Sequence, residues 1–125
     1  MVSSKTPIPG VLYVNSDTIS PALSREDFEE WYTKEHIPDV VAISGVASAA
    51  RYNFIPSPHA PERELKFLTL YQMPDLNFMD SAEFRGLEGQ SEGPSKERIF
   101  KKAVFDTRGY RAVQTDQAPK DSSGK

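Results

Sequence analysis

The 125-residue chain contains no cysteine. That excludes disulfides, thiolate nucleophiles and Cys-ligated zinc or iron–sulfur centres, and it fits a reducing compartment. Histidine is nearly as scarce. His36 and His59 are the two copies, far apart and without a tight carboxylate pattern, so no metal site is expected. There is no basic excess: 15 Lys and Arg stand against 18 Asp and Glu, a net charge of −3, which removes the electrostatic case for nucleic acid. No apolar run approaches the ~20 residues of a membrane span. Met1–Gly10 is polar and Pro-rich, without the apolar core of a signal peptide. Phosphate loops, dinucleotide fingerprints and serine-nucleophile motifs are also missing. The expectation is a cytoplasmic protein with no cofactor, no metal, and neither nucleic acid nor membrane as partner.

What remains fits one domain. Both ends read as loose: residues 1–9 as a flexible N-terminal segment and 115–125 as a disordered tail, leaving 10–114 to fold. Val11–Val14 is a β-rich run closed by the turn-prone Asn15-Ser16-Asp17. Ser24-Arg25-Glu26-Asp27 is a capping box, opening a helix that carries Phe28, Trp31 and Tyr32 on one face. Glu29, Glu30 and Lys34 lie outward, with Glu30 and Lys34 at pairing distance. Pro38 predicts that the regular helix ends or bends near His36. Val46–Phe54 reads as a second strand and Lys66–Met73 as a third, with Phe67, Thr69 and Tyr71 on one face. Pro74–Leu87 reads as one or two short helical pieces, anchored by Phe78, Met79, Phe84 and Leu87. Glu88–Gly93 is a polar loop, Ser95 caps a short helix through Lys102, and Ala103–Val113 is the last strand.

The order β-α-β-β-α-β is the split βαβ pattern: an α+β, ferredoxin-like domain with a four-stranded antiparallel sheet and helices on one face. The first and third strands are apolar on both faces, and helices can cover only one. A second copy of the same sheet is the simplest cover for the other, which predicts a homodimer.

Phe28-x-x-Trp31-Tyr32-x-x-x-His36-x-Pro38, then Gly45-Val46 and Arg51-Tyr52, resembles the EthD-like branch of the dimeric α/β-barrel superfamily. Phe105-Asp106-x-Arg108-x-Tyr110 is similar to the last strand of those proteins. The resemblance spans roughly Val11 to Val113. It implies two sheets facing each other in a dimer, helices outside, and a small-molecule pocket in each subunit between sheet and helices. The superfamily holds cofactor-free quinone-forming monooxygenases, isomerases, polyketide cyclases, decarboxylases and haem-handling proteins, and fold alone does not choose among them.

His36 is the sharpest chemical candidate, because imidazole moves protons near neutral pH without a cofactor. A helix C-terminus would raise its pKa and burial would lower it. The competing reading is a helix cap bonded to a carbonyl. Tyr32 could steady an oxyanion or relay a proton; otherwise it is an amphipathic core aromatic. Phe28 and Trp31 are candidates for pocket wall, as are the strand tyrosines Tyr13, Tyr52 and Tyr71, whichever of them faces the helices. Arg51 and Arg108 could clamp a carboxylate, pair with Asp106, or form an interstrand or dimer-interface bridge. Asp39 could orient His36 or simply be solvated, and His59 reads as exposed.

The function expected is a cofactor-independent enzyme acting on a hydrophobic, oxygenated small molecule, polyketide-like or aromatic. It would work by cyclisation, isomerisation or decarboxylation, with His36 as acid or base and Tyr32 at the oxyanion. The alternatives are a cofactor-free monooxygenase forming a quinone and a non-catalytic small-molecule-binding or stress module.

Overall fold

The computed structural model describes residues 6–59, 65–87 and 96–119. The chain runs β1 (Gly10–Thr18), α1 (Arg25–Trp31), a π-helical turn (Tyr32–His36), α2 (Ile37–Val41), β2 (Ser48–Asn53) and β3 (Phe67–Met73). A 3-10 turn (Leu76–Asp80), α3 (Ala82–Arg85), a second π turn (Lys96–Phe100) and β4 (Ala103–Arg111) follow. The four strands form one antiparallel sheet in the order β2-β3-β1-β4. This is the ferredoxin-like α+β fold that the alternation of elements predicts. Glu88–Gly93 and Ser95 lie outside the described residues.

Three local expectations change or become more specific. Asn15-Ser16-Asp17 is strand, not turn, because β4 pairs along the whole of β1, from Gly10 opposite Arg111 to Thr18 opposite Ala103. Tertiary pairing outweighs local turn preference there. The Asp17 carboxylate, buried by this extension, takes two hydrogen bonds from the Arg25 guanidinium, both 3.0 Å, and one from the Thr18 N–H at 2.7 Å. The regular helix opened by Ser24, whose hydroxyl accepts from the Asp27 N–H, is interrupted before Pro38, as expected, but by a change of phase and not by an end. It widens into a π turn, with the Ile37 N–H reaching the Tyr32 carbonyl, and continues through Val41.

The third change is at the N-terminus. Thr6–Pro9, expected to be part of a flexible segment, is tied to the turn after β3. The Ile8 N–H donates to Asp75 Oδ1 at 3.0 Å, the Leu76 N–H donates to the Ile8 carbonyl at 2.7 Å, and the Ala112 N–H donates to the Pro9 carbonyl at 2.8 Å. Asp75 also accepts from the Asn77 backbone and side chain. Beyond Val113, residues 114–119 are exposed and belong to no helix or strand.

Strand alternation sorts the sheet into two faces. Leu12, Val14, Ser16, Phe67, Thr69, Tyr71 and Met73 point under the helices and are buried. Val11, Tyr13, Leu68 and Leu70 are half-buried on the opposite face, where Tyr52, Val104 and Tyr110 are exposed. The core has two clusters. One gathers Leu23, Phe28, Trp31, Tyr32, Phe67, Ile99 and Ala103; the other gathers Leu12, Val14, Val40, Val46, Tyr71 and Met73. Ile37 and Phe105 pack against both. Gly45 lies so close to the Phe78 ring that a Cβ there would overlap it, which fixes the loop after α2 onto the 3-10 turn.

A chain beginning at Thr6 should unfold at the same urea midpoint as the full chain. One beginning at Gly10 loses the backbone hydrogen bonds of Ile8 and Pro9, and should be less stable by about 1–3 kcal/mol. Equal midpoints would show that the N-terminal clasp contributes nothing.

Candidate active site

A cavity of about 210 Å³ opens where the two core clusters meet. Its walls are mainly apolar: Leu12 and Val14 from β1, Val40 from α2, Phe84 and Leu87 around α3, and Phe100 and Phe105 near the start of β4. Its polar lining is Tyr32, His36, Tyr71 and Thr107. A cavity of ~150 Å³ is enough to hold benzene, so this one admits a substituted single ring.

The π turn delivers both Tyr32 and His36 to this space. The His36 ring stacks on Trp31 with centroids 4.7 Å apart and 15° between planes, and stands edge-on to Tyr32 at 5.4 Å. Phe100 flanks it at 6.5 Å. His36 makes no side-chain cap hydrogen bond, and the helix passes straight through it, so neither a capping role nor a helix-end field describes its surroundings. Burial is what acts on it: the imidazole is pushed down from 6.5 to about 4. At neutral pH His36 is an uncharged ring with an available lone pair.

Tyr32 is wholly buried. Phe28, Trp31, His36 and Phe105 pack around its ring, and the Arg51 guanidinium lies 4.5 Å from the ring centroid on a cation–π path. Burial raises the phenol's pKa, opposed by the Ser16 and Thr69 hydroxyls and by the charge of Arg51. Those two hydroxyls stabilise the phenolate form, yet neither makes a fully formed hydrogen bond to the phenol in the folded chain, so the Tyr32 hydroxyl is left without a satisfied partner among the described residues. Tyr71, on the central strand β3, is in the same condition: buried, unpartnered, and with a phenol pushed up by burial and by Tyr32 nearby, against the pull of Arg51. Arg51 itself is held by Glu29 of α1 and reaches the Thr33 hydroxyl at 3.5 Å.

The candidates read from sequence therefore divide. His36, Tyr32 and Tyr71 share the cavity. Trp31 stacks behind His36 and lines a separate surface groove with Asp27, Lys34 and Arg98. Phe28 is fully buried behind Tyr32 and does not line the cavity. Tyr13 and Tyr52 line a shallow depression on the opposite face of the sheet, with Asn15 and Leu68. That excludes them from a site containing His36, because residues one step out of phase in a strand face opposite ways. Arg51 pairs with Glu29 rather than Asp106, whose partner is Arg108 at 3.0 Å. Asp39 is exposed and forms no bond to His36. Ser16, Thr69, Phe100, Phe105 and Thr107 escaped the list of site candidates. Thr69 carried a signal all the same, a small hydroxyl among large apolar neighbours on a strand face, whereas Ser16 carried none, because Asn15-Ser16-Asp17 reads as a turn. Among the described residues no group of His, Asp or Glu could hold a metal ion, and no helix is long and apolar enough to cross a membrane.

No family model matches the chain, and no solved structure matches it. A curated relative is Core atranone cluster (CAC) protein 1 of Stachybotrys chlorohalonatus (strain IBT 40285). It is 33% identical over 78 residues, which are 62% of this chain and 31% of the relative. The match thus spans about a third of the relative's length.

The His36 environment makes a pH prediction. An unfolded histidine titrates near ~6.5, and the folded one is depressed to about 4. Its contribution to stability is therefore complete above about 6.5 and drains away as pH falls toward about 4. Melting temperatures of the wild type and His36→Gln, compared at intervals from neutral to acid, should show the variant losing less over that window. NMR titration of the wild-type ring should give a midpoint near 4; a midpoint at the ordinary value would mean that the ring is open to water.

Proposed function

We propose that the chain is an EthD-like protein of secondary metabolism and works as a cofactor-independent enzyme on a hydrophobic, oxygenated small molecule. The reaction is proton-transfer chemistry at a carbon beside a carbonyl or phenol: cyclisation, isomerisation or decarboxylation. The observation that carries this reading is the meeting of an uncharged imidazole and an unpartnered, buried phenol in one apolar cavity. The name of the relative, which refers to a core atranone cluster, supports the metabolic setting.

Each group has a role. The apolar walls desolvate the substrate and hold it in a reactive shape. In cyclisation or isomerisation a ring nitrogen of His36 removes the carbon-bound proton; in decarboxylation it takes the carboxyl proton instead, and the breaking C–C bond leaves its electron pair in the enolate as carbon dioxide departs. The Tyr32 hydroxyl donates to the oxygen on which negative charge develops. A histidine with a conjugate acid near 4 is a weak base alone. Here the imidazolium forms together with the enolate, and their attraction in a low-dielectric cavity offsets the burial that depresses it. His36 then returns its proton to carbon or to the leaving fragment, and the site is regenerated without a cofactor.

The active form is proposed to be a homodimer. Val11, Tyr13, Leu68 and Leu70 form a half-buried apolar strip beside exposed Tyr52, Val104 and Tyr110, a surface of the kind that a second sheet covers. Such an interface should bury more than ~1,000 Å² in total. Analytical ultracentrifugation at micromolar concentration should give a dimer, and Leu70→Glu should give a folded monomer; a monomeric wild type removes this part of the proposal.

The chemistry can be tested before the substrate is known. Exchange of the α-protons of acetophenone in D2O, followed by NMR, reads base and oxyanion function on a ring that the cavity admits. His36→Ala should slow exchange by roughly 10²–10⁴-fold, and Tyr32→Phe should slow it as well while keeping the ring. Exchange no faster with wild type than with His36→Ala refutes the mechanism.

A further inference from the structure

Five buried side-chain polar atoms lack a hydrogen-bond partner among the described residues: Ser16 Oγ, Tyr32 Oη, Arg51 Nε, Thr69 Oγ1 and Tyr71 Oη. They are not scattered. Arg51 is the β-partner of Thr69, and Thr69 is the partner of Val14, so these three form one row across the inner face of the sheet. Tyr71 stands in the next inward row, with Leu12 and Ala49, and Ser16 in the row on the other side, opposite Phe67. Tyr32 comes down on them from the helix layer. Folded proteins satisfy the large majority of such atoms, and leaving one buried and unpaired destabilises the fold, so a cluster of five needs a cause. Two of the five, Tyr32 and Tyr71, are also cavity-lining residues.

We infer that Tyr32 and Tyr71 form a paired-phenol site for a single substrate oxyanion, with Arg51 behind Tyr32 as its positioning cation, and that the cavity selects ligands whose oxygen ionises, enols and phenols, over ethers and hydrocarbons of the same shape. The inference rests on the reading of this cavity as the substrate pocket and names what that pocket chooses. Two hydroxyl donors buried behind the wall of an apolar ring space, and reached only by a ligand that displaces the packing over them, suit an oxygen attached directly to an unsaturated carbon. Arg51 does not line the cavity; it acts through the Tyr32 ring, at 4.5 Å, and is itself held by Glu29. The charged groups around the cluster favour an incoming anion. His36 is uncharged, Asp17 beside Ser16 is already bonded to Arg25, and the effect of Arg51 on Tyr32 is larger than the opposing effect of Glu29.

The test is a titration of bound 4-nitrophenol, whose phenolate is coloured, with 4-nitroanisole as the shape-matched ligand that cannot ionise. In the full-length wild type the apparent pKa of the bound phenol should fall by about one unit or more relative to free solution, and 4-nitroanisole should bind at least tenfold more weakly than the phenolate. Tyr32→Phe and Tyr71→Phe should each return most of that shift while the melting temperature stays level or rises, because each removes an orphaned buried hydroxyl. A hydroxyl with a purely structural role would instead lower the melting temperature when removed. Arg51→Met should shrink the shift and Arg51→Lys should recover part of it. Bound phenol with an unchanged or raised pKa overturns the oxyanion site and leaves the pocket standing. Failure of both ligands to bind overturns the site and the pocket together. Phenolate binding that survives in a protein inactive toward acetophenone sinks the proposed catalysis alone.

Discussion

The arrangement of the site depends on one break in helical phase. Phe28, Trp31 and Tyr32 set an inward stripe, and at about 100° per residue an uninterrupted α-helix would next turn Glu35 and Asp39 toward the sheet. That would bury two carboxylates over an apolar core, at a cost of several kcal/mol each. The π turn at Tyr32–His36 inserts one residue of delay. His36 and Val40 then take the inward positions, Glu35 stays outside in a 2.8 Å ion pair with Arg98, and Asp39 is exposed. Pro38 suits this solution, since it has no N–H to give to the Lys34 carbonyl and sits in the first turn of the renewed α2. Single π turns of this sort are frequent at functional sites.

From that delay the electrostatics follow. His36, half-buried, is packed between Trp31 and Phe100, beside Tyr32, and the aromatic surround that takes much of the ring out of water also disfavours the charge it could carry. Tyr32 reaches a part of the sheet where the inner face is hydroxylic rather than hydrocarbon. Alanine or valine at positions 16 and 69 would make a more conventional core. Ser16 and Thr69 there, with the phenols of Tyr32 and Tyr71, keep polar atoms buried without full satisfaction. Such a cluster weakens the fold and strengthens the field that a ligand oxygen would meet, the usual direction of the exchange between stability and activity.

Much of this could be read from the residues. The strand and helix order, the aromatic face of α1 and the Ser24 cap all follow from periodicity and capping chemistry, and the inward set Phe67, Thr69 and Tyr71 follows from strict alternation. The phase break was half visible: Pro38 signalled an interruption, and Glu35 and Asp39 on the would-be inner stripe signalled its direction, yet neither says whether a helix stops or widens. The length of β1 was not readable, because Asn15-Ser16-Asp17 is turn-like in isolation and becomes strand only when β4 pairs with it. That single extension decides that Ser16 faces the site. Phe100 and Phe105 come to the cavity by long-range packing, which no local pattern encodes.

The same strands that carry the cavity residues carry the residues of the open face, one step out of phase. Leu12 pairs with Tyr71 and Tyr13 with Leu70; Arg51 points under the helices and its neighbour Tyr52 points away. A slip of one residue between β1 and β3 would trade a cavity phenol for an apolar side chain and place polar groups on the surface proposed to pair. Both ends of the sheet resist such a slip. At one end, Thr6–Pro9, Asp75 and Ala112 join the start of β1 to the exits of β3 and β4. At the other, Asp17 is locked to Arg25, and the Ile19 N–H donates to the Lys102 carbonyl at 2.9 Å. The register that sorts the tyrosines between two faces is thus held outside the site, by groups that never touch the cavity. The site can then keep its unpaired hydroxyls without losing the geometry that aims them.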